Sequence, residues 1–186
     1  MRWDALFTDL EAQLHSASVA HREGEIRDRT RSEQSRVTMS QRLIAQIGRH
    51  LSVSTRGGRT VSGLVTNVGS AWVSLVVEGR SVVVPFTAVQ VLRELDRVAG
   101  QPLTGVEARL GFGSVLRELS RDRSVVALWL GSPAAQVIGV IERVGADFLE
   151  LGLSGAGQDR RSSQGREGLT IPFTSIDTVD AAHSGA

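Results

Sequence analysis

The chain has 186 residues, 41% of them apolar, with 21 basic against 20 acidic side chains, a net charge of +1 and no cysteine. The apolar content suffices for a buried core. The near-neutral charge speaks against nucleic-acid binding by bulk charge alone, and the lack of cysteine excludes disulfides and thiolate metal sites. No apolar run is long enough to span a bilayer, and Met1-Arg2-Trp3-Asp4 opens no uninterrupted apolar stretch, so the expectation is a cytoplasmic protein with no membrane partner.

Trp3, Phe7, Leu10, Leu14 and Ala17 recur at alternating steps of four and three residues. That spacing predicts an amphipathic helix with a narrow apolar seam, suited to docking on its own chain or to pairing with a partner or a second copy. Residues 20–36 turn polar. Arg22, Arg27, Arg29, Arg31 and Arg36 are nearly matched by Glu23, Glu25, Asp28 and Glu33, so the stretch reads as a solvated helix or arm. Met39, Leu43, Ile44 and Ile47 return to helical spacing, and Gly48 suits the helix stop.

From Leu51 the period changes to two. Leu51 and Val53 alternate with serines; Val61, Gly63 and Val65 alternate next; Trp72–Val77, Ser81–Val84 and Phe86–Leu92 follow, separated by Arg56-Gly57-Gly58, Asn67–Ser70 and Glu78-Gly79-Arg80. Five short antiparallel strands with turns too short for crossover helices are expected. Gly63 stands where a bent strand needs close backbone approach. After a charged connector, Ser114 is placed to cap a short helix through Leu119, and a second strand series begins at Val125.

The second series repeats the first. Gly63 and Gly139, Gly69 and Gly145, Trp72 and Phe148, and Leu75 and Leu151 are each 76 residues apart, whereas Pro85 and Pro172, and Phe86 and Phe173, are 87 apart. A single change of offset across so many matched positions predicts a tandem duplication with an insertion inside 154–166, a Gly/Ser/Gln/Arg-rich stretch expected to be a mobile loop. Pro85 and Pro172 each remove a backbone donor from a strand, which is expected to discourage edge-to-edge pairing.

A helix, then five strands with G-R-x-V-x-G-x-V near the start (Gly58–Val65) and V-P-F-T-A-V at the end (Val84–Val89), resembles the Sm/LSm family and its bacterial Hfq-type members. The likeness covers residues 40–92 well and 113–180 loosely. The overall layout, with its W-x-x-L-F-x-D-L-E start, also resembles an uncharacterised actinobacterial family, which implies no function. With the duplication and the N-terminal seam, the Sm-like resemblance leads to an expected mainly β fold with α: two tandem five-stranded antiparallel Sm/SH3-like small barrels, each preceded by a helix, plus a long N-terminal helical segment. The expected division is 1–36 helical arm, 37–95 first helix and barrel, 96–112 connector, 113–180 second helix and barrel, and 181–186 disordered tail. The family's nucleotide-contacting positions fall on Gly69, Val73, Phe86 and Thr87, and in the second copy on Gly145 and Leu149; none can do the same work, so the resemblance implies no family-type pocket.

No catalytic constellation emerges. Gly152-Leu153-Ser154-Gly155-Ala156 misses the nucleophile-elbow pattern at its last position, and His15, His21, His50 and His183 are scattered without metal-ligand spacing. The expectation is a binding module, not an enzyme, without a cofactor or metal. Two readings follow. In the first, RNA or another nucleic acid is held by Arg56, Arg59 and Arg80 in the turns of the mildly basic first copy. In the second, the chain is a protein-interaction or scaffold protein that uses the Trp3, Phe7, Leu10 and Leu14 seam and the acidic second copy.

Overall fold

Alternation of apolar and polar residues becomes strand from residue 50 onward, except that Phe86–Ala88, expected to open the fifth strand, form a 3-10 turn ahead of it. In the computed structural model, residues 15, 29, 31, 32, 34–153 and 168–182 are described. The chain divides into two compact units, Met1–Thr38 and Met39–Ala186. In the first unit, residues 31, 32, 34 and 35 are helical, with the Ser35 hydroxyl donating to the Ser32 carbonyl at 2.8 Å. Trp3, Phe7, Leu10 and Leu14 lie outside the described residues.

The second unit carries two α-helices, α1 (Met39–Ile44) and α2 (Phe112–Arg121), and ten strands. These are β1 (His50–Thr55), β2 (Thr60–Val68), β3 (Trp72–Val77), β4 (Arg80–Pro85), β5 (Val89–Arg93), β6 (Val125–Gly131), β7 (Ala134–Val144), β8 (Phe148–Leu153), β9 (Gly168–Pro172) and β10 (Ile176–Ala182). All ten belong to one antiparallel sheet in the order β5-β1-β2-β3-β4-β10-β6-β7-β8-β9. The strand order of the first five is repeated by the second five, down to a bulge after Val65 in β2 and after Ile141 in β7.

The expectation of two tandem barrels is overturned. The sheet is open, with β5 and β9 at its ends, and neither half closes on itself. Nor is there a long N-terminal helix among the described residues, and α2 alone of the two helices exceeds six residues. The reason lies in β4. It pairs with β10 of the other half through Val83↔Val179, Val82↔Asp180, Ser81↔Ala181 and Arg80↔Ala182. Those residues precede Pro85, so the donor that proline lacks falls beyond the paired stretch, and the expected obstacle to edge pairing does not operate. Ala181, expected to start a disordered tail, is a buried residue of β10.

Two apolar cores result. Leu43 of α1 joins Leu51, Val53, Val61, Val65, Val73, Leu75, Val82 and Val84 in the first. Phe112 and Leu116 of α2 join Val126, Leu128, Ile141, Leu149, Leu151, Ile171, Ile176 and Val179 in the second. Successive side chains of a strand point to opposite faces. In β4, Val82 and Val84 belong to the first core and Val83 to the second, so the two cores lie on opposite faces of the sheet where it passes through this strand. The first half also lends Trp72 to the second core, and its indole N–H donates to the Leu110 carbonyl in the connector at 2.9 Å.

At Gly63, a Cβ would overlap the backbone carbonyl oxygen of Val76 and come within 2.8 Å of Val77 Cγ2, so the close backbone approach inferred from the alternation is real. Ser114, expected as a helix cap, sits inside the first turn of α2, which starts after Gly111.

Candidate functional site

The densest polar cluster of the described residues sits where the halves meet, at the start of β2 and along β10. Arg59 reaches across to Asp180 with both guanidinium nitrogens, at 2.7 Å to Oδ1 and 2.6 Å to Oδ2. It also donates to the hydroxyl of buried Thr178. The guanidinium carbon lies 4.4 Å from the centroid of the Trp129 ring, and the Trp129 N–H donates to Asp180 Oδ2 at 3.3 Å. A planar fork on a carboxylate with an aromatic face beneath it is the arrangement that suits arginine and not lysine. With side chains 24% and 13% exposed, the pair is largely shielded from solvent.

The same turn engages a second carboxylate. Asp177 is 3% exposed. Its Oδ2 accepts from the Thr55 hydroxyl at 2.7 Å and from the Gly57 backbone N–H at 2.8 Å. A buried carboxylate is tolerated only with such partners. Glycine at position 57 makes the approach possible. A Cβ there would overlap Asp177 Oδ2 and come within 2.7 Å of the Gly131 Cα. The β1–β2 turn is therefore clasped onto β10 by side chains more than a hundred residues away in sequence.

This geometry separates the three arginines proposed for phosphate contact. Arg59 is committed to the clasp, whereas Arg56, in the β1–β2 turn, and Arg80, the first residue of β4 after the β3–β4 turn, are exposed. Both turns open on the same end of the sheet, since β1, β2, β3 and β4 alternate in direction. Of the aromatic side chains that could stack on a base, Trp72 is core, Trp129 lies under Arg59, and Phe173 packs edge-on against Phe112 with ring centroids 5.6 Å apart. Among the described residues no group of three His, Asp or Glu side chains gathers where a metal ion could be held, and no helix is long and apolar enough to cross a membrane.

Asp177, Asp180 and Trp129 were not anticipated as a set. A signal was present: two carboxylates in a strand otherwise made of Ile176, Thr178, Val179, Ala181 and Ala182 demand partners. Their identity depends on which strands are neighbours, and alternation does not reveal that.

The free edges form the other candidate surface. Along β9, Gly168, Leu169, Thr170, Ile171 and Pro172 carry no charge. In β5, Val91 is 42% exposed and Arg93 is the lone charged residue. On the face of β6 and β7 turned away from the second core, Val125 and Ile138 are about half exposed, at 54% and 49%. Natural sheets usually guard long edges with charge, proline or a covering element; among the described residues, β9 has only its terminal proline. Comparison of the chain with family models, with curated proteins and with solved structures found no match.

Proposed function

We propose that this chain works as a protein-interaction or scaffold module, binding through the edges of its open sheet. The observation that carries the reading is the pair of open edges, β5 and β9, at the ends of a ten-stranded sheet. An edge strand presents unpaired backbone donors and acceptors to any polypeptide that can lie alongside. The poorly guarded sequence of β9 and the exposed Val91 favour a polypeptide over a phosphate backbone as occupant.

The nucleic-acid reading loses support from the same geometry. Of the three arginines, Arg59 already has a carboxylate, a hydroxyl and an indole as partners. Arg56 and Arg80 alone would leave a two-contact footprint, too small for appreciable affinity at moderate salt.

The test is photocrosslinking in cells with a benzophenone amino acid at Val91 or Thr170, set beside RNA filter binding at low and moderate salt. Discrete polypeptide adducts at the edge positions, together with RNA binding that is weak and indifferent to Arg56→Glu and Arg80→Glu, are expected. No polypeptide adduct at either edge, or tight RNA binding abolished by those two changes, would sink the reading.

A further inference from the structure

Building on the edge-binding reading, we propose that the occupant of β9 is β5 of a second copy of this chain, so that copies join head to tail. The chain already contains one strand pair of this kind. Within one molecule, β4 of the first half pairs antiparallel with β10 of the second. β9 stands to the second half as β4 stands to the first: Trp72↔Pro85 and Phe148↔Pro172, Ser74↔Val83 and Glu150↔Thr170, Leu75↔Val82 and Leu151↔Leu169 are corresponding partners. Both strands end in a proline followed by a single 3-10 turn, Phe86–Ala88 or Phe173–Ser175. β5 stands to the first half as β10 stands to the second, each following that turn and pairing with the opening strand of its half across a bulge.

The inner joint therefore specifies an outer one. Val83↔Val179 becomes Thr170↔Leu92, and Val82↔Asp180 becomes Leu169↔Arg93. Pro172 lies beyond the pairing stretch, as Pro85 does. The clasp, however, is not repeated. Ala135 stands at the place of Arg59, Arg93 at that of Asp180, and Gln90 at that of Asp177. No like charges are brought together, because the arginine of one side faces an alanine on the other. No ion pair forms either. The outer joint rests on backbone hydrogen bonds and apolar contact, which makes it weaker than the inner one and dependent on concentration. Because it joins two different edges, it generates rings or filaments and not a two-fold dimer.

Light scattering of the full chain across micromolar to high-micromolar concentration tests this. The mass is expected to rise with concentration past that of two copies. Thr170→Pro, which blocks the β9 edge, is expected to hold the chain at one copy with its circular dichroism unchanged. The double change Ala135→Arg with Arg93→Asp installs the missing clasp and needs no disruption of the fold. It is expected to lower the concentration of half-assembly by about tenfold, the equivalent of one charge-assisted hydrogen bond. A wild-type chain that stays a monomer throughout overturns the proposal, as does a rise in mass that the clasp variant leaves unmoved or that a folded Thr170→Pro protein still shows. A monomer that nevertheless gives edge crosslinks in cells would reject self-association while leaving edge binding of another protein standing.

Discussion

Val82 and Val83 are neighbours in β4, and they belong to different cores. Val82 shares a core with Leu51, Val53 and Leu75, whereas Val83 shares the other with Leu128, Val179 and Leu151. A single strand is thus a wall of both halves, and the joint it makes with β10 is structural before it is anything else.

Cooperative unfolding is the first consequence. Leu51→Ala in the first core and Leu128→Ala in the second should each cost about 2–5 kcal/mol, the usual range for a buried leucine. Because β4 serves both cores, either change should shift one shared urea transition, followed both by Trp fluorescence and by circular dichroism. Two separated transitions would show that the halves fold independently.

The Arg59–Asp180 pair should behave as a coupled unit. Arg59→Ala, Asp180→Ala and the double variant form a cycle whose interaction energy is expected at about 0.5–3 kcal/mol in stability. Arg59→Lys should recover only part of it, since an ammonium cannot fork onto both carboxylate oxygens. A coupling energy indistinguishable from zero in denaturant titrations would reduce the pair to an incidental surface contact.

Asp177→Ala removes the acceptor of two donors at once, the Thr55 hydroxyl and the Gly57 N–H. The expected loss is about 1–3 kcal/mol for leaving buried donors unpaired. Asp177→Asn keeps a carbonyl oxygen in place and should lose less. Equal losses for the two variants would mean that the carboxylate charge, and not the acceptor geometry, is what matters.

Gly63→Ala places a methyl group against the Val76 backbone carbonyl and Val77 Cγ2. Overpacking of that kind is expected to cost about 1–3 kcal/mol, read from the midpoint of thermal unfolding. A neutral or stabilising outcome would indicate that β2 and β3 have room to separate.

Much of the strand content was legible because alternation is a local property. Val61, Gly63 and Val65 announce a half-buried strand, and Gly63 announces its tight neighbour, within a window of five residues. The pairing of β4 with β10 was not legible. Every strand edge offers the same backbone groups, so Val83 carries no mark that its partner is Val179 and not a residue of its own half. Pro85 misled for a related reason: its missing donor matters only if the pairing reaches it, and the pairing stops at Val83. Arg59 read as a free turn arginine because Asp180 and Trp129, its actual partners, are remote in sequence. The seam from Trp3 to Leu14 falls outside the described residues.

The contribution of Trp72 to the second core also bears on how the chain can be divided. A cut in the connector, between 99 and 106, severs no strand of the sheet, yet β4, β10 and Trp72 still bridge the two pieces. Neither piece owns a complete interior: the second half lacks Trp72 and Val83, and the first loses the strand that covers its flank. Such fragments are natural candidates for complementation, each remaining incomplete until it meets the other, which would make the connector a place to split the protein into a two-part reporter.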